Sequence, residues 1–287
     1  MTFSKIIAGT MTWGSWGKNL SVSEMSRLIH HCFDNGIDSF DHADIYGGYT
    51  TEQEFGKAFK ATGLSRDKMK WITKCGIQYI AESRNNHVKH YDLSKDYIIR
   101  SAEESLKNLQ TDHIDLFLLH RPSPLMHPDE IAAAAAHLKV SGKIREFGLS
   151  NFSPSQSDLV MSKTTIYANQ IQFSLTHAES MWNGDLDYMM LNNIVPMAWS
   201  PLGSVFKENT PQSERLKRSL FKFIEKYRGT ADQLLLAWIL KHPSGILPVI
   251  GTTNPERISN SVKAIDMKLE TEDWFEMVQE SQGHRVP

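Results

Sequence analysis

Residues 38–46 read Asp-Ser-Phe-Asp-His-Ala-Asp-Ile-Tyr. The run is a short buried strand passing into a loop; the strand closes on Asp41 and the loop presents Tyr46. A carboxyl and a phenol this close together, at a strand exit, can face one cavity. An Asp at a strand end is ordinarily a turn former or a helix cap, so the pair takes its meaning from the rest of the chain. Three later strands also end in polar residues: Trp71-Ile72-Thr73-Lys74, Leu116-Phe117-Leu118-Leu119-His120 and Phe147-Gly148-Leu149-Ser150-Asn151. Successive strands that carry polar chemistry at the same end are the feature to explain.

Outward from that stretch, strand and helix alternate eight times. A strand over 5–10 leads to a loop rich in Trp and Gly (Trp13, Gly14, Trp16, Gly17), then a helix from Ser23 with Met25, Leu28, Ile29 and Phe33 at helical spacing. Asn35-Gly36 stops it. After the Phe40 strand, Thr51 is the expected N-cap of the next helix, with Glu54 completing a capping box. A third strand over 69–74 is followed by a polar loop over 76–92, long enough to be read as a lid or a binding wall. Ser94 caps a helix to Leu109, and a fourth strand covers 114–119. Pro128 opens a helix at its first position, and the fifth strand covers 144–149. Ser153-Pro154 starts the next helix, and the sixth strand lies over 168–173. A helix over 185–191, a strand over 195–199, a helical pair over 211–227 and 230–241, and a strand over 246–250 come next. Asn254-Pro255 starts the last barrel helix, and 271–282 adds a surface helix. Several strands are near-continuous apolar runs, as parallel strands covered by helices must be. The pattern predicts a single (β/α)8 barrel domain over 1–287, with its site at the C-terminal ends of the strands.

Composition narrows the function. The formal net charge is −2, so no basic excess points to nucleic acid. No apolar run is long enough to cross a membrane, and the first residues lack the charged and apolar regions of a signal peptide. Cys32 and Cys75 form no disulfide framework and are read as free thiols without a role, as in a reducing cytoplasm. Asp41, His42 and Asp44 invite a metal reading, but strand alternation sends His42 to the face opposite Asp41, and no metal set is assigned. His30, His31, His87 and His90 are expected to be solvated.

Asp41, Tyr46, Lys74 and His120 make a coherent set. A tyrosine, with an ordinary pKa of about 10, needs help to act near neutrality. An adjacent ammonium favours its phenolate, a carboxylate holds the ammonium in place, and a histidine can donate a hydrogen bond that positions a carbonyl. The set suits proton delivery to a developing alkoxide. No side chain donates a hydride, so a cofactor has to. Ser150, Asn151 and Gln170 suit a carboxamide, Trp199 offers a flat face for a nicotinamide, and the helix start at Pro255 is a natural anion site with Arg257 beside it. Trp13, Trp16 and Trp182 are read either as substrate-pocket lining or as packing at the barrel top.

Over essentially its full length the chain resembles the aldo/keto reductase family. The matching segments are Gly36-x-Asp38-x-Phe40-Asp41-x-Ala43-Asp44-x-Tyr46-Gly47, Thr73-Lys74, Leu119-His120-Arg121-Pro122, Gly142-Lys143-Ile144-Arg145-x-x-Gly148-x-Ser150-Asn151-Phe152, Asn169-Gln170, Trp199-Ser200-Pro201-Leu202-Gly203 and Gly251-Thr252-x-x-Pro255-Glu256-Arg257. The segments from His120 and at Val286-Pro287 are similar to a bacterial branch of oxidoreductases. The resemblance implies NADPH-dependent reduction of an aldehyde or ketone by a monomer. It also implies Tyr46 as general acid, Lys74 lowering its pKa, Asp41 orienting Lys74, and His120 positioning the carbonyl. On the pocket-lining reading, Trp13 and Trp16 join Tyr46 and His120 as candidate substrate contacts. Thr10, Met11, Asp41, Ser150, Asn151, Gln170, Trp199, Ser200, Pro201, Leu202 and Gly203 would contact NADP(H). Gly251 stands where many members carry a lysine, so Gly251, Thr252 and Thr253 would meet the 2′-phosphate through backbone and hydroxyl groups, with Arg257. A non-enzymatic NADP-binding sensor of the same fold is the alternative, and a hydrolase or isomerase lacks a metal or paired-carboxylate motif.

Overall fold

A computed structural model describes residues 2–286. Eight parallel strands close on themselves: β1 (Ile7–Gly9), β2 (Ser39–Asp41), β3 (Lys70–Cys75), β4 (Ile114–Leu119), β5 (Ile144–Ser150), β6 (Ala168–Gln172), β7 (Val195–Trp199) and β8 (Leu247–Ile250). Each pairs with its neighbours in sequence, and β8 pairs with β1, Ile7 against Val249, to complete the barrel. Helices α1 (Val22–Asp34), α2 (Thr51–Thr62), α3 (Lys95–Leu109), α4 (Pro128–Val140), α5 (Pro154–Met161), α6 (Asp185–Leu191), α7 (Pro211–Tyr227), α8 (Ala231–Leu240), α9 (Pro255–Lys263) and α10 (Thr271–Gln282) accompany them.

Strand alternation sorts the side chains into two apolar bodies. Ile72, Leu116, Leu118, Met197 and Val249 point inward and fill the barrel with Ile7, Ala168 and Leu247. Cys75, Phe117, Leu119, Phe147 and Leu149 point outward against Ile98, Ile131 and Leu138 of α3 and α4. The same parity decides the polar layer. Lys74, His120, Gln170 and Trp199 each lie two residues beyond an inward apolar or small residue (Ile72, Leu118, Ala168 and Met197), so they inherit the inward direction. Register staggers them: Asp41 pairs with Ile72, two residues before Lys74, Lys74 pairs with Leu118, two before His120, and Gln170 pairs with Met197, two before Trp199, as the tilt of strands in a closed barrel requires.

Most element ends fall within a residue or two of the sequence reading. Ser94, Ser153 and Asn254 cap as expected, each accepting a backbone N–H of the first turn. The α2 cap is different. Thr50, not Thr51, is the cap residue, and no side chain bonds there. The Thr50 and Thr51 amides already bond the Tyr46 carbonyl, both at 3.2 Å, so a preceding turn takes over the role of the box. Thr51 is buried instead.

The 76–92 stretch is not a structureless loop. Ile77–Gln78 and His90–Tyr91 pair antiparallel, Tyr49 Oη donates to the Ile77 carbonyl at 3.3 Å and accepts from Tyr79 N at 2.9 Å, and Arg84 reaches Glu104 at 2.8 Å. His30 and His31 are not simply solvated either. The first ring bonds the Thr62 carbonyl at 3.1 Å and the second the Pro255 carbonyl at 2.8 Å. They tie α1 to its neighbours α2 and α9. His87 and His90 are exposed, as expected.

Candidate active site

Lys74 is fully buried, a location a lysine takes only with partners. Its Nζ donates to both Asp41 carboxyl oxygens at 2.7 Å, to the His42 carbonyl at 2.8 Å and to Tyr46 Oη at 3.3 Å. The ammonium is therefore saturated and fixed. Burial works against its charge, but Asp41 and Tyr46 together outweigh burial, and the Lys74 pKa lies above the ordinary value.

Tyr46 reaches this group from the loop after β2, where Gly47 and Gly48 carry left-handed backbone (φ 63° and 67°). A side chain on Gly47 would also collide with Thr51 Oγ1, 2.5 Å from a Cβ there, so the turn requires glycine. The acidity of Tyr46 departs from the sequence expectation. Burial pushes the phenol up, Lys74 pulls it down, and burial wins, leaving the Tyr46 pKa raised. The hydroxyl keeps its proton at neutral pH. Lys74 limits the rise rather than producing a net fall.

His120, half-buried at the end of β4, has its ring centroid 6.1 Å from that of Tyr46. Burial, with help from Lys74, Arg121 and Lys89, holds its pKa well below the ordinary value. It is a neutral imidazole at pH 7, and its Nδ1 has no hydrogen-bond partner among the described residues.

The carboxamide-type residues form one network. Ser150 Oγ donates to the Gln170 carbonyl at 2.9 Å, Asn151 Nδ2 donates to Ser150 Oγ at 2.8 Å and to the His120 carbonyl at 3.3 Å, and Trp199 Nε1 donates to Asn151 Oδ1 at 2.9 Å. The sequence presents Gln170 only as a cofactor contact; in the fold its Nε2 also donates to Asp41 Oδ1 at 2.9 Å. Asn151 and Ser200 adopt left-handed backbone (φ 63° and 51°), a conformation uncommon outside glycine.

Other residues divide. Trp13 is fully buried against Phe40 and Phe55, at 6.2 and 6.1 Å between centroids. Its turn, closed by Trp13 N on the Thr10 carbonyl, points the indole into the core, so it is packing and not a substrate contact. Trp16 is at the mouth, 6.2 Å from Tyr46 and 5.1 Å from Tyr79. Trp182 is about half exposed. Thr10 is buried, its hydroxyl bonded to the Asp41 carbonyl and His42 Nδ1, so its side chain is taken up internally. Met11 is exposed. His42 packs on Phe55 at 4.3 Å, away from the Lys74 side. Thr252 and Thr253 are half-buried at the start of α9, and Gly251 and Arg257 are exposed. Tyr79 escapes a reading of the sequence; its only signal is an aromatic ring near the start of the long loop after the Lys74 strand.

The arrangement can deliver a proton from Tyr46 to an oxygen placed between it and His120. Barrel and site together define an oxidoreductase of the (β/α)8 class. The chain belongs to the aldo/keto reductase family, whose family model matches residues 5–281. Among similar proteins, an uncharacterized oxidoreductase of Bacillus subtilis (strain 168), YcsN, is 42% identical over 294 residues, covering 100% of this chain and 97% of that protein. A 6-dehydroglucose reductase of Agrobacterium fabrum is 37% identical over 290 residues, with 100% and 97% covered. The crystal structure of the thermostable aldo-keto reductase Tm1743 with the inhibitor epalrestat has a TM-score of 0.83 at 27% identity, covering 96% of this chain and 94% of that one.

Proposed function

We propose that the chain reduces an aldehyde or ketone with NADPH, and that Tyr46 gives the proton. The observation that carries this reading is the buried Lys74 ammonium, clamped by Asp41 and touching Tyr46 Oη at 3.3 Å. The residues around it suit a nicotinamide dinucleotide. Ser150, Asn151 and Gln170 present hydroxyl and amide groups in one layer, and Trp199 presents a ring. The N-terminus of α9 favours a phosphate, and the exposed Arg257 has no anionic partner among the described residues. When bound, NADPH supplies the hydride.

The chain's own groups do the rest. Neutral His120 donates a hydrogen bond to the carbonyl oxygen and fixes its position. Tyr46, kept protonated by burial, transfers its proton as negative charge builds on that oxygen. Lys74 stabilises the phenolate left behind, and Asp41 holds Lys74 charged and in place. Trp16 and Tyr79 form an aromatic wall at the mouth. A keto sugar is among the substrates to try, because the Agrobacterium relative is a 6-dehydroglucose reductase.

The test is NADPH consumption by the purified chain across aldehydes, ketones and keto sugars. Turnover with at least one of them, on the order of 1 per second or faster, is expected. Tight NADPH binding with no turnover on any carbonyl would instead favour a sensor of the same fold.

A further inference from the structure

Beside the reaction site lies a cavity of about 430 Å³, between the ends of β4, β5, β6 and β7 and the loop after β6. Arg121, Asn151, Ser153, Gln172, His177 and Trp199 are among its walls. It shares a wall with the site above. Arg121 is next to His120 in the chain, and Asn151 bonds the His120 carbonyl at 3.3 Å. Its volume is that of a pocket for a small molecule.

The notable group is Arg121. Among the described residues the other partly buried arginines are all bonded to oxygen: Arg66 to Asp115 at 2.7 Å, Arg84 to Glu104 at 2.8 Å and Arg215 to the Glu280 carbonyl at 2.9 Å. Arg121 is likewise partly buried. Yet it has no carboxylate or carbonyl partner among the described residues; its guanidinium carbon lies 5.6 Å from the Trp199 ring centroid, and its charge acts on neighbouring His120. A guanidinium held over an aromatic face leaves its planar fork free, and that fork matches a carboxylate in two parallel hydrogen bonds. The acids nearby are already occupied. Asp185, itself part of the cavity wall, accepts from Asn183 Nδ2 at 2.9 Å and Ser180 Oγ at 3.2 Å and makes no ion pair with Arg121, and Glu179 lies 3.4 Å from His177. The cavity also opens beside Ser153 at the N-terminal, positive end of α5.

We propose that this cavity is the subsite for a carboxylate carried by the substrate, several bonds from the reacting carbonyl, and that Arg121 is the residue that selects it. The proposal rests on the reductase reading above and refines its substrate class to oxo acids. Arg121 is a specificity residue; it sits outside the proton-transfer set of Tyr46, Lys74 and Asp41.

The experiment compares paired aldehydes, succinic semialdehyde against butanal and 4-carboxybenzaldehyde against benzaldehyde, on the wild type and on Arg121→Met. Because a charge-assisted pair is being read, the wild type is expected to prefer the acid of each pair by roughly 10-fold or more in kcat/KM, mostly through KM. Arg121→Met brings that ratio near one, and 0.5 M salt narrows it in the wild type, as screening of exposed charge requires. The proposal is overturned by an absent preference in the wild type or by a preference that survives in Arg121→Met. It is equally overturned if the variant weakens NADPH binding and leaves the ratio alone, since the cavity then belongs to the dinucleotide. If no aldehyde is turned over, the reductase reading fails by itself, and calorimetric titration with succinate decides the subsite. Binding that weakens roughly 10-fold or more in Arg121→Met supports it, and equal or absent binding rejects it.

Discussion

Lys74 is the residue whose burial makes sense only in company. Its charge sits among Asp41, the His42 carbonyl and Tyr46, with nothing left over for solvent. Removing it leaves the Asp41 carboxyl buried with Gln170 as its remaining side-chain donor. Lys74→Met should therefore lower stability by about 3–5 kcal/mol and turnover by roughly 10²–10⁴-fold. Adding Asp41→Asn should restore much of the stability and none of the turnover; urea midpoints and rates on both variants check this, and recovered turnover would remove Lys74 from the mechanism. Asp44 behaves oppositely. Burial, with Glu52 nearby, pushes its carboxyl from the ordinary 3.8 up to about 8. Between those values the folded chain holds a proton that the unfolded chain has released. Stability therefore falls as pH rises through that window, by up to about 1.4 kcal/mol per unit. Below about pH 6.5 the buried, neutral His42 and His120 pull the other way. The urea midpoint should therefore drop between about pH 7 and pH 8, and Asp44→Asn should flatten the drop, apart from any share due to Glu52, which burial shifts the same way. An unchanged slope would clear Asp44 of the effect.

The strands and helices are largely legible in the sequence because their apolar patterns are strong. Phe117, Leu119, Phe147 and Leu149 read as buried whichever way they point, and alternation then fixes which face carries Lys74 and His120. The features that stay hidden depend on neighbours distant in sequence. Glu52 looks like a solvated first-turn acid of α2, yet it is buried with Thr73 Oγ1 donating to it at 2.6 Å. Trp13 is assigned to core rather than pocket only once α2 is seen to bring Phe55 over it. The rise in the Tyr46 pKa is equally out of reach, since a motif shows the ammonium partner but not the depth of burial. The same covering makes Gly56 necessary. A Cβ there would sit 2.4 Å from the Asn108 carbonyl oxygen and 2.8 Å from the Leu109 carbonyl carbon, both backbone atoms of α3. Gly56→Ala gains about 1 kcal/mol of helix propensity but forces α2 and α3 apart. A net loss of about 1–3 kcal/mol in urea unfolding is expected; a neutral or stabilising result would mean the two helices are not locked.

At the scale of the whole barrel, the strand ends divide the work. β2, β3 and β4 bring Asp41, Lys74 and His120, while β5, β6, β7 and the start of α9 bring the groups assigned to the dinucleotide. The two ends should be separable. Arg257→Ala should raise the NADPH Kd about 10-fold and the NADH Kd much less, as the loss of one phosphate pair predicts; equal changes would mean Arg257 does not meet the 2′-phosphate. The central claim is that the Tyr46 proton, with Lys74 behind it, is what the barrel is built to deliver. It is tested most directly by Tyr46→Phe, assayed for carbonyl-dependent NADPH consumption alongside NADPH affinity by fluorescence. The prediction is a fall in turnover of roughly 10²–10⁴-fold with NADPH affinity held within about 2-fold. Turnover within a few-fold of the wild type would contradict the account.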